Sequence, residues 1–207
     1  MLYLGGLCFL TAEESACPVS AAEQSRAAIM AGVKWVQLRM KNAARRRVWE
    51  TALALRELAR EKGALFFIND YPDIALAADA DGVHLGQEDL PLRETRMLIG
   101  KRLAGISTHG PAEAKAAEEG GADYIGFGPV FETRTKEAGP ARGLQSLGEV
   151  VRAVSIPVVA IGGITPENIG LVIKAGARAA AVSSAIAAGD IRENAKRFLE
   201  AIEAART

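Results

Sequence analysis

With 207 residues, in which 25 Lys and Arg balance 25 Asp and Glu, the chain has no overall field to draw it to nucleic acid or an anionic membrane, so any anion must be held by a local cluster. The length suffices for one large core but leaves no room for a second domain, and Glu, Arg, Lys or Asp interrupts every apolar run before the roughly 20 residues needed to cross a bilayer. Cys8 and Cys17 lack metal-ligand spacing and the sequence opens Met1-Leu2-Tyr3-Leu4 rather than on a basic leader, which together predict a cytoplasmic protein with free thiols.

Short apolar runs near 2–10, 34–39, 65–69, 81–85, 102–106, 123–127, 156–161 and 178–182 alternate with helix-length stretches. Eight such units predict a parallel sheet closed into a single (β/α)8 TIM barrel over 1–207. A doubly wound open sheet is the alternative, because periodicity alone does not bring the last strand to the first.

In a parallel barrel the chemistry belongs at the C-terminal strand ends, and in chain order these ends are polar. The second strand runs into Gln37-Leu38-Arg39-Met40-Lys41, where alternation sends Gln37, Arg39 and Lys41 to the inner face and Val36 and Leu38 to the other. Buried cations there call for a ligand phosphate or for an acidic residue on a neighbouring strand. The helix that follows shows a stripe of Val48, Ala52, Leu55 and Ala59, with Gly63 to end it. The third strand ends at Asn69-Asp70 and the fourth at Gly86-Gln87-Glu88-Asp89. Adjacent parallel strands lie about 4.8 Å apart, so the two aspartates could share one hard cation such as Mg2+. Each could instead cap a helix, since Asp70 precedes Pro72 and Asp89 precedes Pro91.

The fifth strand delivers Ser107-Thr108-His109, in which His109 has no visible partner and could cap the helix near Pro111. The sixth leads into a long segment, 129–143, that carries Thr133-Arg134-Thr135-Lys136 and reads as a lid or as a solvated loop. The seventh ends in Gly162-Gly163 and the eighth in Ser183-Ser184, the two positions at which barrels commonly bind phosphate, although tight-turn glycine needs no ligand. The seventh helix is expected to start at Thr165-Pro166.

Taken together, Gln37-Leu38-Arg39-Met40-Lys41, Ile68-Asn69-Asp70, Gly82-Val83-His84-Leu85-Gly86-Gln87-Glu88-Asp89, Gly128 to Lys136 and Ala160-Ile161-Gly162-Gly163-Ile164 resemble thiamine-phosphate synthase, in order and over nearly the whole chain. The resemblance implies a transferase of thiamine biosynthesis. It would join 4-amino-5-hydroxymethyl-2-methylpyrimidine diphosphate to 4-methyl-5-(2-hydroxyethyl)thiazole phosphate and release diphosphate, with Mg2+ as the metal. It implies that Gln37 contacts the pyrimidine, that Arg39, Lys41, Asn69 and Lys136 hold the diphosphate, and that Asp70 and Asp89 carry the magnesium. Ser107, Thr133 and Thr135 would line the reacting centre, with Arg39, Ser107 and Lys136 catalytic, and Gly163, Ser183 and Ser184 would bind the thiazole phosphate. The partners are then two small molecules, with no nucleic acid and no membrane, while self-association stays open.

Three positions depart from the family pattern: Met40 where an acidic residue is common, Ala12 where an aspartate often follows the threonine, and Ser183 where an apolar residue is expected. Two rival functions share the barrel. A thiazole tautomerase would use His109 as acid or base and would have no ligand for Arg39, Lys41, Asp70, Asp89 and Lys136. A non-catalytic phosphate-binding barrel would need the phosphate loops but not the aspartate pair.

Overall fold

The computed structural model describes residues 4–13, 17–133 and 139–206. Its strands are β1 (Gly6–Leu10), β2 (Trp35–Leu38), β3 (Leu65–Asn69), β4 (Gly82–Leu85), β5 (Leu103–Thr108), β6 (Tyr124–Phe127), β7 (Val158–Ile161) and β8 (Ala179–Val182). All pair in parallel in chain order, and β8 closes on β1 with Gly6 beside Ala179 and Phe9 beside Val182. That closure excludes the open sheet and leaves the (β/α)8 barrel. The helices are α1 (Ala21–Met30), α2 (Arg45–Glu61), α3 (Pro72–Ala77), α4 (Leu92–Ile99), α5 (Pro111–Glu119), α6 (Gly143–Ala153), α7 (Ile169–Lys174), α8 (Ser184–Ala187) and α9 (Ile191–Arg206). None of them is long and apolar enough to cross a membrane among the described residues.

Period-two alternation divides the apolar residues into two cores. Val36, Leu38, Phe66, Ile68, Val83, Leu85, Ile125 and Phe127 point outward and pack against the helices, where the expected α2 stripe of Val48, Ala52, Leu55 and Ala59 is fully buried. Cys8, Leu10, Trp35, Leu65, Phe67, Tyr124, Val159, Ala179 and Ala181 fill the barrel. Trp35, Phe67 and Tyr124 form an aromatic plug there, with ring centres 5.0–5.8 Å apart. The plug fits because the neighbouring strand supplies glycine: a Cβ on Gly82 would stand 2.5 Å from the Phe67 ring, and one on Gly105 2.1 Å from the Tyr124 ring.

The N-terminal ends of the strands are tied by one device used twice. Asp81 accepts from the Phe66 N–H at 2.8 Å and pairs with Arg56 at 2.9 Å. Asp123 likewise accepts from the Ala104 N–H at 2.8 Å and pairs with Arg96. Two boundary expectations need correction. α7 starts at Ile169 with Asn168 as its cap, because the Asn168 carboxamide accepts from the Thr165 N–H and holds 165–168 as a turn. Tyr71 and Pro91 occupy the cap positions of α3 and α4, so neither Asp70 nor Asp89 caps a helix.

Candidate active site

The polar strand ends gather at one mouth of the barrel. At the β1–β2 corner the Thr11 hydroxyl accepts from the Arg39 N–H at 2.8 Å and donates to the Arg39 carbonyl at 2.9 Å. Glu13 then accepts from the Arg39 guanidinium at 3.0 Å and from the Lys41 N–H at 3.1 Å. The segment just after β1 thus fixes Arg39, and the acidic partner is Glu13 of that segment. Both side chains are only about one fifth exposed, at 21% and 23%.

Asp70 follows β3 with its backbone at φ 67, a left-handed conformation that Asp and Asn adopt more readily than other side chains, and its N–H donates to the His84 carbonyl at 2.9 Å. Its carboxyl meets that of Asp89, which is oriented by the Gly86 N–H at 2.6 Å. Burial first and the neighbouring Asp89 second push the Asp70 carboxyl up to about 7, while Lys41 and Arg39 pull the other way. Two carboxyl groups in this contact suit a proton or a hard divalent cation. Among the described residues no cluster of three metal-ligating side chains occurs, and Mg2+ commonly needs no more than one or two carboxylates, completing its shell with water and substrate phosphate. The pair therefore fits the expected ion.

Inside this rim lies a chain of hydrogen bonds that alternation could have flagged, since His84 and Tyr124 both fall on inward positions of their strands. The Gln37 amide bonds to the Tyr124 hydroxyl, which lies 2.9 Å from His84 Nδ1, and His84 Nε2 lies 2.9 Å from Ser107 Oγ. Complete burial lowers the His84 pKa to about 4, so the ring is neutral, and burial likewise raises the Tyr124 hydroxyl well above its ordinary value. Asn69, buried as Gln37 is, pairs with His84 across the β3–β4 ladder. His109 does not cap α5, whose cap is Gly110; it contacts Glu113 at 3.0 Å instead.

The remaining residues lie on the opposite side of the mouth. β7 and β8 align Ile161 with Ala181, and Gly163 and Ser183 each follow two residues further along the chain. The start of the 129–143 segment lies against them: Val130 and Phe131 donate to the Ile161 and Gly162 carbonyls at 2.9 and 3.0 Å, and Arg142 donates to the Gly128 carbonyl at 3.1 Å. Half-buried Thr133 follows, whereas Thr135 and Lys136 lie outside the described residues. Gln37, Arg39, Lys41, Asn69, Asp70, Asp89 and Ser107 are thus grouped on β2–β5, and Thr133, Gly163, Ser183 and Ser184 on β6–β8.

The sequence pattern described as thiamine monophosphate synthase matches residues 7–186. This chain belongs to that family. The thiamine-phosphate synthase of Chloroflexus aurantiacus is 48% identical over 177 residues, which cover 85% of this chain and 82% of the relative. That of Chlorobium limicola is 44% identical over 198 residues, 95% of this chain and 92% of its own. The solved structure of thiamine phosphate pyrophosphorylase from Pyrococcus furiosus superimposes with a TM-score of 0.89 at 38% identity, covering 98% of this chain and 97% of that one. The protein is an enzyme of this family, a transferase, and the tautomerase and non-catalytic alternatives fall away.

Proposed function

We propose that the chain condenses 4-amino-5-hydroxymethyl-2-methylpyrimidine diphosphate with 4-methyl-5-(2-hydroxyethyl)thiazole phosphate, giving thiamine phosphate and diphosphate in the cytoplasm. The observation that carries the site assignment is the juxtaposition of Arg39, fixed by Glu13, with the contacting carboxyls of Asp70 and Asp89. A diphosphate is the ligand that such a mixed site suits: its oxygens take the guanidinium directly and the carboxylates through a shared cation.

Asp70 and Asp89 would hold Mg2+, which supplies positive charge to the diphosphate oxygens when bound. Arg39, Lys41 and Asn69 bind the same oxygens, together with Lys136. Gln37 and Ser107 orient the pyrimidine. Gly163, Ser183 and Ser184 would hold the thiazole phosphate, and Thr133 and Thr135, with Ser107, would line the reacting centre. The carbon–oxygen bond to diphosphate breaks and its electron pair leaves with the diphosphate. The thiazole nitrogen then gives its lone pair to the pyrimidine methylene carbon. No proton moves, which agrees with a site whose enclosed imidazole is neutral and already hydrogen-bonded at both nitrogens.

The test is to incubate the folded protein with both heterocycles and Mg2+, oxidise the mixture, and follow the thiochrome fluorescence of the thiamine phosphate formed. Fluorescence that needs all three components is expected; its absence would overturn the reading.

A further inference from the structure

The Gln37–Tyr124–His84–Ser107 chain has a direction. Gln37 Oε1 is buried and has no hydrogen-bond partner among the described residues, so it is the amide N–H side of Gln37 that meets the Tyr124 oxygen. Tyr124 therefore turns its own proton to His84 Nδ1. The groups hydrogen-bonded to this imidazole are both hydroxyls, and a ring that accepts at Nδ1 carries its proton on Nε2, from which it donates to Ser107 Oγ. The Ser107 proton must then find its acceptor elsewhere. At one end of the chain stands a bare acceptor, Gln37 Oε1, and at the other a hydroxyl with a proton to give.

The two rings that transmit this direction cannot swing aside. Tyr124 is wedged between Trp35 and Phe67, with centroids 5.0 and 5.8 Å away, and sits over Gly105. The β6 backbone closes on His84, since a Cβ on Gly126 would lie 3.0 Å from His84 Cε1.

We propose that Tyr124 and His84 are positioning residues that fix the hydrogen-bond polarity of Gln37 and Ser107, and thereby select a pyrimidine carrying a 4-amino group over its 4-oxo counterpart. This rests on the reading of Gln37 and Ser107 as the pyrimidine contacts. An amino group gives Gln37 Oε1 the donor it lacks, and the ring nitrogen beside it gives Ser107 an acceptor. A 4-oxo ring turns an acceptor towards Gln37 Oε1 and a ring N–H towards the Ser107 proton, so both contacts fail. A buried mismatch of this kind corresponds to a preference of about 10- to 100-fold.

The experiment measures binding rather than turnover, because the two rings also differ in how well they support the chemistry. Calorimetric titration with the 4-amino pyrimidine alcohol and with its 4-oxo analogue, in the presence of Mg2+ and inorganic diphosphate, is run on the wild type, Tyr124→Phe, His84→Phe and the double variant. Each substitution keeps an aromatic ring in place, and thermal melts check that the barrel remains folded. The wild type should prefer the amino ring by at least about tenfold, each variant by less than about threefold, and the double variant by no less than the singles, because the residues act as one chain. Affinity for diphosphate alone should stay within about twofold, which loss of the barrel mouth would not allow. A folded Tyr124→Phe or His84→Phe protein that keeps the wild-type preference overturns the inference, and so does a wild type that binds both rings alike. Thiochrome formation by the same wild-type preparation tests the functional reading separately.

Discussion

Asp70 concentrates the electrostatic conflict of the site in one residue. Its carboxyl titrates at about 7 instead of the usual 3.8, so the folded protein binds that proton more tightly than the unfolded chain does. The stabilising contribution is therefore complete below about pH 4 and is lost as the pH rises through about 7, where burial and the repulsion of Asp89 outweigh the attraction of Lys41 and Arg39 for the ionised group. The variant that separates charge from backbone is Asp70→Asn. Asn tolerates the left-handed φ of 67 better than Ala, which would add strain of its own. We expect Asp70→Asn to abolish Mg2+-dependent turnover while melting above the ligand-free wild type at pH 8, by a margin that shrinks as the pH falls and closes only near pH 4. Melts that rank the wild type higher at pH 8, with turnover intact, would remove Asp70 from the metal site. Arg39 poses the complementary case. Arg39→Ala should lower turnover about 10²–10³-fold, the cost of one preorganised electrostatic contact. Glu13→Gln, which frees the guanidinium from its anchor at 3.0 Å, should instead raise the KM for the pyrimidine diphosphate and leave that for thiazole phosphate unchanged. Steady-state kinetics with each substrate varied in turn distinguishes the two effects.

At the level of elements, the segment after β6 explains the paired glycines after β7. Gly163 has φ +64, and a Cβ there would lie 2.4 Å from the Glu132 carbonyl and 2.7 Å from Phe131; one on Gly162 would lie 2.4 Å from Pro129. These glycines are demanded by the chain's own 129–132 backbone as well as by any phosphate. Gly163→Ala should push that backbone away, raising the KM for thiazole phosphate at least about tenfold while Mg2+ and diphosphate affinity hold; equal losses for both substrates would point to general damage instead. The sequence makes Gly162-Gly163 legible as a special turn but cannot name what approaches it, because the approaching residues lie some 30 positions earlier in the chain. The same limit hides His84. Alternation in Gly82-Val83-His84-Leu85 places it inward, yet its partners Tyr124 and Ser107 become neighbours only through the β4–β5–β6 register. Strands, by contrast, are legible everywhere, since a sheet buried on both faces needs continuous apolar runs. The start of α7 is not, because Thr165-Pro166 has the chemistry of a cap but serves a turn closed by Asn168.

Across the whole molecule the two ends of the barrel do different work. The N-terminal end carries stability: removing the Asp81 side chain would leave the Phe66 N–H and the Arg56 guanidinium without it. Asp81→Ala should cost about 1–3 kcal/mol in denaturant titrations with kcat unchanged at a temperature where it stays folded. The C-terminal end is divided, with charge-bearing residues on β2–β5 and the proposed thiazole phosphate contacts on β6–β8. This division bears on the order of events. On the proposed assignment, the β2–β5 half would take up the charge of a departing diphosphate through Arg39, Lys41 and the aspartate pair. Neither cysteine is placed to attack carbon: Cys8 lies buried among apolar residues with its thiol pKa raised, and Cys17 donates to the Ala187 carbonyl at 3.4 Å. With charge stabilisation on the leaving side and a nucleophile that needs no deprotonation, diphosphate should depart before the thiazole nitrogen bonds, leaving positive charge on a carbon that the amino-pyrimidine ring delocalises. Electron-withdrawing substituents on that ring should then slow single-turnover formation of thiamine phosphate steeply, by far more than they weaken binding. Rates insensitive to such substituents would mean that the two bonds change together in a direct displacement, with the β2–β5 half serving only to hold the diphosphate.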